Sequence, residues 1–149
     1  MEVSTARTIR GLKDWKDLER MTINVRSNER MTPDIEQALH ARALELAHAE
    51  VAKVTGLDLE DLTPAEGQVL NAVTAYLALK RRAGSNANRT LDQVRRQGLL
   101  RAAELSVEKK SPTSGFHELA EADLADLSYE NIVMTNQDEF TDRTVWFAR

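Results

Sequence analysis

Chemistry in this chain has to come from arginines, carboxylates and 3 histidines, because the sequence contains no cysteine. That absence excludes thiolate nucleophiles, disulfide scaffolds, zinc fingers and iron–sulfur sites. The densest set of chemically able side chains lies between 80 and 101. There Arg81, Arg82, Arg89, Arg95 and Arg96 flank a turn of Ala, Gly, Ser and Asn residues. A guanidinium is always charged and presents five donors that match phosphate oxygens. These five arginines are the candidate nucleic-acid-binding residues. They suit the phosphate backbone better than the bases. On an ideal helix Arg95, Arg96 and Arg101 lie roughly 40°, 140° and 280° from Leu91, so they form no single stripe for a groove. No aromatic residue occurs from 77 to 115, which leaves no platform for stacking single-stranded bases.

Three sharper motifs compete with bland alternatives. A helix-turn-helix with Gly98 at the turn fails in detail. Gln97 stands where an apolar residue is needed, Val94 where a small one is, and Glu104 where a core residue is. The run Arg42-Ala-Leu-Glu-Leu-Ala-His48 resembles the short Arg-x5-His motif of the HEPN helical ribonucleases. That resemblance covers seven residues and implies an RNA-cleaving pair at a dimer interface. Within one helix the two side chains lie about 120° apart, so they would not converge. The HEPN-like ribonuclease is therefore the distant alternative. Finally, His117-Glu118-Leu119-Ala120-Glu121 begins like a zinc-protease H-E-x-x-H, with Glu121 in place of the second histidine. Two ligands one turn apart are not a site, and no third is evident. His40, on an apolar helix face, reads as a hydrogen-bonded histidine at the core edge. Serine elbows and glycine-rich phosphate loops are absent. No metal or cofactor is expected, and enzyme is the least favoured class.

Helices must position these residues. Thr32-Pro33 and Thr63-Pro64-Ala65-Glu66 are start signals, the second a full capping box. They open helices over 33–55, closed by Gly56, and over 64–82. Thr90 with Gln93 reads as another capping box, opening a helix over 90–109 that is apolar on two sides. It is expected to be the central helix, with Gly98 in its interior closely packed on a neighbour. A break at 111–115 precedes a helix over 116–127, and short turns follow near Ser128 and Thr141. The terminal Val145-Trp146-Phe147 should be packed. The fold class is therefore all-α: a small helical bundle of four main helices plus one or two short C-terminal helices. Residues 31–149 form a single helical domain. Residues 1–30 read as a flexible or accessory extension, in which Trp15 could dock on a partner.

The chain has 149 residues, 42% hydrophobic and 30% charged, which suits one globular domain. It has no apolar run long enough to span a membrane and no apolar leader, so a cytoplasmic location is expected. The net charge of −4 is unevenly spread. Residues 31–79 carry 2 basic and 8 acidic groups, 80–110 carry 9 and 3, and 111–149 carry 2 and 8. Such blocks either attract one another within the fold or subunits, or mark a polyanion site. The function expected is a non-enzymatic binding or regulatory module contacting nucleic-acid phosphates through 80–101. The nearly equal alternative is a protein–protein accessory subunit whose basic segment meets an acidic partner, or a second copy in a homo-oligomer.

Overall fold

The computed structural model describes residues 2–108 and 129–149. The expected break at 111–115, the helix over 116–127 and the residues His117, Glu118 and Glu121 lie outside the described residues. Every regular element among those described is helical, so the fold is an all-α bundle. In chain order the helices are α1 (Val3–Arg10), α2 (Trp15–Ser27), α3 (Pro33–Thr55), α4 (Pro64–Arg82), α5 (Asn88–Gln97), α6 (Leu99–Val107), α7 (Tyr129–Thr135) and α8 (Asp142–Ala148). A 3-10 turn at Gln137–Glu139 links the last two. None of the described helices is long and apolar enough to cross a membrane.

The centre of the bundle is α3. Its start follows from Thr32, whose hydroxyl accepts the Ile35 N–H at 3.2 Å, and from Pro33 in the first turn. Its end is Gly56, left-handed at φ 66°. Between them Ile35, Leu39, Ala43, Ala47 and Val51 recur every fourth residue and are all buried. The small alanines let neighbours approach, and α1, α2, α4 and α5 all pack on this helix. Full burial of side chains such as Leu39 and Val51 contributes about 1.5–3 kcal/mol each. The capping box of α4 forms as expected. Thr63 Oγ1 accepts the Glu66 N–H at 3.2 Å, and Glu66 Oε1 accepts the Thr63 N–H at 3.0 Å.

The 90–109 stretch is not one central helix. It divides at Gly98 into α5 and α6. The capping box of Thr90 and Gln93 does not form, because the helix starts earlier, after Ala87. Asn86 turns the chain there, its Oδ1 accepting the Asn88 N–H at 3.1 Å. Gly98 adopts φ 84° and ψ 170°, a region open essentially to glycine alone. A Cβ at this position would meet nothing within 4 Å, so no close helix contact explains the glycine. The bend instead sends the two halves to different neighbours. Leu91 and Val94 are buried on α5, which packs on α3, while Ala102, Ala103 and Val107 are buried on α6, which packs on α4 and α7.

Within residues 1–30, expected as a flexible or accessory extension, the helices Val3–Arg10 and Trp15–Ser27 are docked on the bundle. Asp14 caps α2 by accepting the Asp17 N–H at 2.8 Å. Both helices pack on α3 and bury Ile9, Leu18 and Val25. At the other end, Val145 is buried in α8 but Trp146 is 68% exposed. The expectation of a wholly packed terminus fails at Trp146, whose ring meets only the edge-on Phe147 among aromatic neighbours described, at 4.9 Å.

Candidate functional site

The end of α4 sets two arginines side by side, and they diverge. Arg81 reaches Glu50, with Nε donating to Oε1 at 3.2 Å and Nη2 to Oε2 at 2.9 Å. Trp15 joins them: its Nε1 donates to the same Glu50 Oε1 at 2.7 Å, and the Arg81 guanidinium sits 5.9 Å from its ring centroid. Arg82 turns the other way and donates from Nη1 to Glu36 Oε1 at 2.5 Å. Positions 36 and 50 are separated by roughly 21 Å of helical rise along α3. The paired arginines therefore clasp α3 at two distant points, and through Trp15 they also hold α2.

The clasp has an electrostatic signature. The hydrogen bond from Arg82 holds the Glu36 carboxyl below its ordinary value of 4.5, against the opposing effect of partial burial. The charge of Arg82 adds to this, and Arg26 and His40 act in the same direction. Part of the basic block at 80–110 thus meets the acidic block at 31–79 within the chain.

The remaining candidates lie together on α5. Leu91 and Val94 face inward, while Arg89, Arg95 and Arg96 are exposed. One carboxylate serves two of them: Asp92 Oδ1 meets Arg95 at 2.6 Å, and Asp92 Oδ2 meets Arg96 at 2.6 Å. Those hydrogen bonds and charges, led by the Arg95 bond, lower the Asp92 pKa. Arg89 makes no ion pair among the described residues. The structure thus separates the five candidates into an internal pair, Arg81 and Arg82, and a surface set, Arg89, Arg95 and Arg96. Arg81 and Arg82, like Arg95 and Arg96, are held in ion pairs within the chain.

Beside the clasp is a cleft of about 500 Å³ between α2, α3 and the end of α4. Leu18, Ile23 and Leu79 supply apolar wall, and Arg26, His40, Glu36 and Arg82 supply polar groups. The His40 side chain is half-buried there and makes no hydrogen bond among the described residues, contrary to its reading as a bonded core-edge histidine.

The chain matches no family model, no curated protein and no solved structure.

Arg42 and His48 both lie on α3 but are not brought together as a pair. The Arg42 Nε and Nη2 donate to the Leu12 carbonyl, and Nη1 donates to Glu45 at 2.7 Å. Arg42 thereby fastens the chain leaving α1 to α3, while His48 is exposed. Among the described residues no group of three metal-ligating side chains forms. Sequence reasoning missed the partners Glu36, Glu50 and Arg26. Trp15 carried a signal, as an aromatic in a basic amphipathic stretch, but its partner is this chain. Glu104 was legible only as an acid in an apolar pattern. It is buried and accepts the Thr141 N–H at 3.2 Å and the Thr144 hydroxyl at 3.0 Å, anchoring the start of α8.

Proposed function

We propose that the protein is a non-enzymatic binding module that lays the outer face of α5 on nucleic-acid phosphates. The observation that carries this reading is the grouping of Arg89, Arg95 and Arg96 on one exposed helix, with Asp92 the one carboxylate of α5. Arg81 and Arg82 are turned to Glu50 and Glu36 and make no part of this nucleic-acid surface. The binding surface is small and the chain carries a net charge of −4, so binding is weak and local. It is blind to base sequence, because phosphate contacts position a protein without specifying bases.

The test is fluorescence anisotropy with two unrelated labelled duplexes and one single strand, at salt from about 50 to 200 mM. Both duplexes should bind equally, with dissociation constants of about 10⁻⁴–10⁻⁶ M. Removing one phosphate-binding arginine should flatten the slope of log affinity against log salt by about 0.9 on duplex. Replacing Arg89, Arg95 and Arg96 together by Gln should bring it close to zero. Absence of binding to every probe at the lowest salt overturns the reading.

A second reading, a protein–protein accessory subunit, is favoured by the exposure of Trp146. This ring stands beside Phe147, over which Arg143 sits at 5.6 Å, and interfaces are enriched in aromatic residues and arginine. It forecasts no nucleic-acid binding and loss of an acidic protein partner in the Trp146→Ala variant. The ribonuclease alternative gains nothing from Arg42, which is held on the Leu12 carbonyl.

A further inference from the structure

We propose that the cleft between α2, α3 and the end of α4 binds a compact organic acid, a carboxylate or phosphate monoester on an apolar body. Its lining combines apolar and charged side chains. Leu18, Ile23 and Leu79 are the apolar members, and Arg26, His40 and Arg82 act on the Glu36 carboxyl. The cleft of about 500 Å³ is within the size range of small-molecule sites, which pair apolar walls with a few polar groups.

The nitrogen-bearing groups have donors to spare. The side chains of Arg26 and His40 make no hydrogen bond among the described residues. Arg82 gives one bond, from Nη1 to Glu36, out of the five N–H donors of a guanidinium. Arg81 differs: both its hydrogen bonds go to Glu50, whose side chain is only 14% exposed, so it is wall. Glu36 is 43% exposed and is held through one oxygen. Its carboxylate occupies the position a guest acid would take, so it acts as a resident competitor that a ligand displaces from Arg82. Glu19 also lines the cleft, about 10 Å of helical rise from Arg26 along α2. Its charge repels an acid from that part and leaves the Arg26 region as the acid's place. The site is independent of α5 and of the phosphate-binding reading.

Trp15 lines this cleft and reports on it. Of the 2 tryptophans the other, Trp146, is exposed, so the Trp146→Phe variant isolates the Trp15 fluorescence. This protein is titrated at constant ionic strength with benzoate, phenyl phosphate, inorganic phosphate and benzyl alcohol. Benzoate and phenyl phosphate should give saturable changes, and the tighter of the two assigns the headgroup. Inorganic phosphate and benzyl alcohol should bind at least about tenfold more weakly, since each lacks one half of the recognition. Arg26→Gln should weaken benzoate about tenfold, the worth of a charge-assisted hydrogen bond. Arg26 is exposed and unbonded, so this variant should melt as the parent does. Glu36→Gln should tighten binding several-fold, an effect opposite in sign to general damage. The Arg89, Arg95 and Arg96 triple variant should leave it unchanged. A flat response to benzoate and phenyl phosphate in both parent and Glu36→Gln overturns the proposal. So does benzyl alcohol binding as tightly as benzoate, or an Arg26→Gln variant with unchanged affinity.

Discussion

Gly98 sets the path of the chain between α5 and α6 through its backbone angles, not through the room around it. At φ 84° and ψ 170° an L-residue with a Cβ is strained even though nothing lies within 4 Å of that Cβ. Gly98→Ala should therefore cost about 1–3 kcal/mol and lower the melting temperature, measured by circular dichroism. Semisynthetic D-Ala at 98 separates strain from crowding. A D-residue accepts these angles as an L-residue accepts extended ones, so it should restore the parent's stability. An Ala variant as stable as the parent would mean the bend does not require glycine. The spacing of Val94, Gly98 and Ala102 was legible as an apolar stripe, yet spacing carries no information on φ. Glu104 shows the same limit. Its place among apolar residues is visible in the sequence, but its partner Thr144 lies in another helix.

At the scale of elements, what could be read was what neighbouring residues decide among themselves. Thr32, Pro33 and Gly56 delimit α3, and Thr63 with Glu66 opens α4, because caps act across three or four residues. The surroundings of α1 and α2 were less legible, since their docking depends on α3. A signal was present in α3 itself, whose apolar positions cover nearly half its circumference, more than one neighbour needs. Ile9, Leu18 and Val25 fill that surplus from the N-terminal side. Each such side chain contributes about 1.5–3 kcal/mol when fully buried, so deleting residues 1–30 should remove several kcal/mol. It also strips Trp15 from Glu50 and the Arg42 anchor from Leu12. The truncated chain should melt at a much lower temperature or without a cooperative transition. Differential scanning calorimetry on both lengths checks this, and equal melting temperatures would make the segment a dispensable ornament.

Over the whole molecule, the alternation of acidic and basic blocks sets a question that sequence could pose but not answer. A guanidinium that closes on its own fold and one that waits for a polyanion have the same composition. The difference lies in the end of α4, from which Arg81 reaches Glu50 and Arg82 reaches Glu36 on α3. The two halves of the clasp should differ in strength. Arg81 and Glu50 are joined by two hydrogen bonds, with side chains 31% and 14% exposed. A double-mutant cycle with Gln at both positions should give a coupling of about 1–3 kcal/mol there. Arg82 and Glu36 share one bond at a more open place, and should couple by about 0.2–1 kcal/mol. The weaker half should nevertheless show a distinct pH dependence. Glu36 binds its proton less readily in the folded chain than its ordinary value of 4.5 implies, chiefly because Arg82 donates to its carboxylate. The unfolded chain takes up that proton first as pH falls. The stability from Glu36 is thus complete above the unfolded value and is lost as pH drops from about 5 towards the lower folded value. Urea unfolding between about pH 6 and pH 3 should show the parent losing more stability than Glu36→Gln, with Arg82→Gln following the flatter curve. Parallel curves for all three proteins would show that the bond contributes nothing in solution, and the basic block would then owe its placement to something other than this clasp.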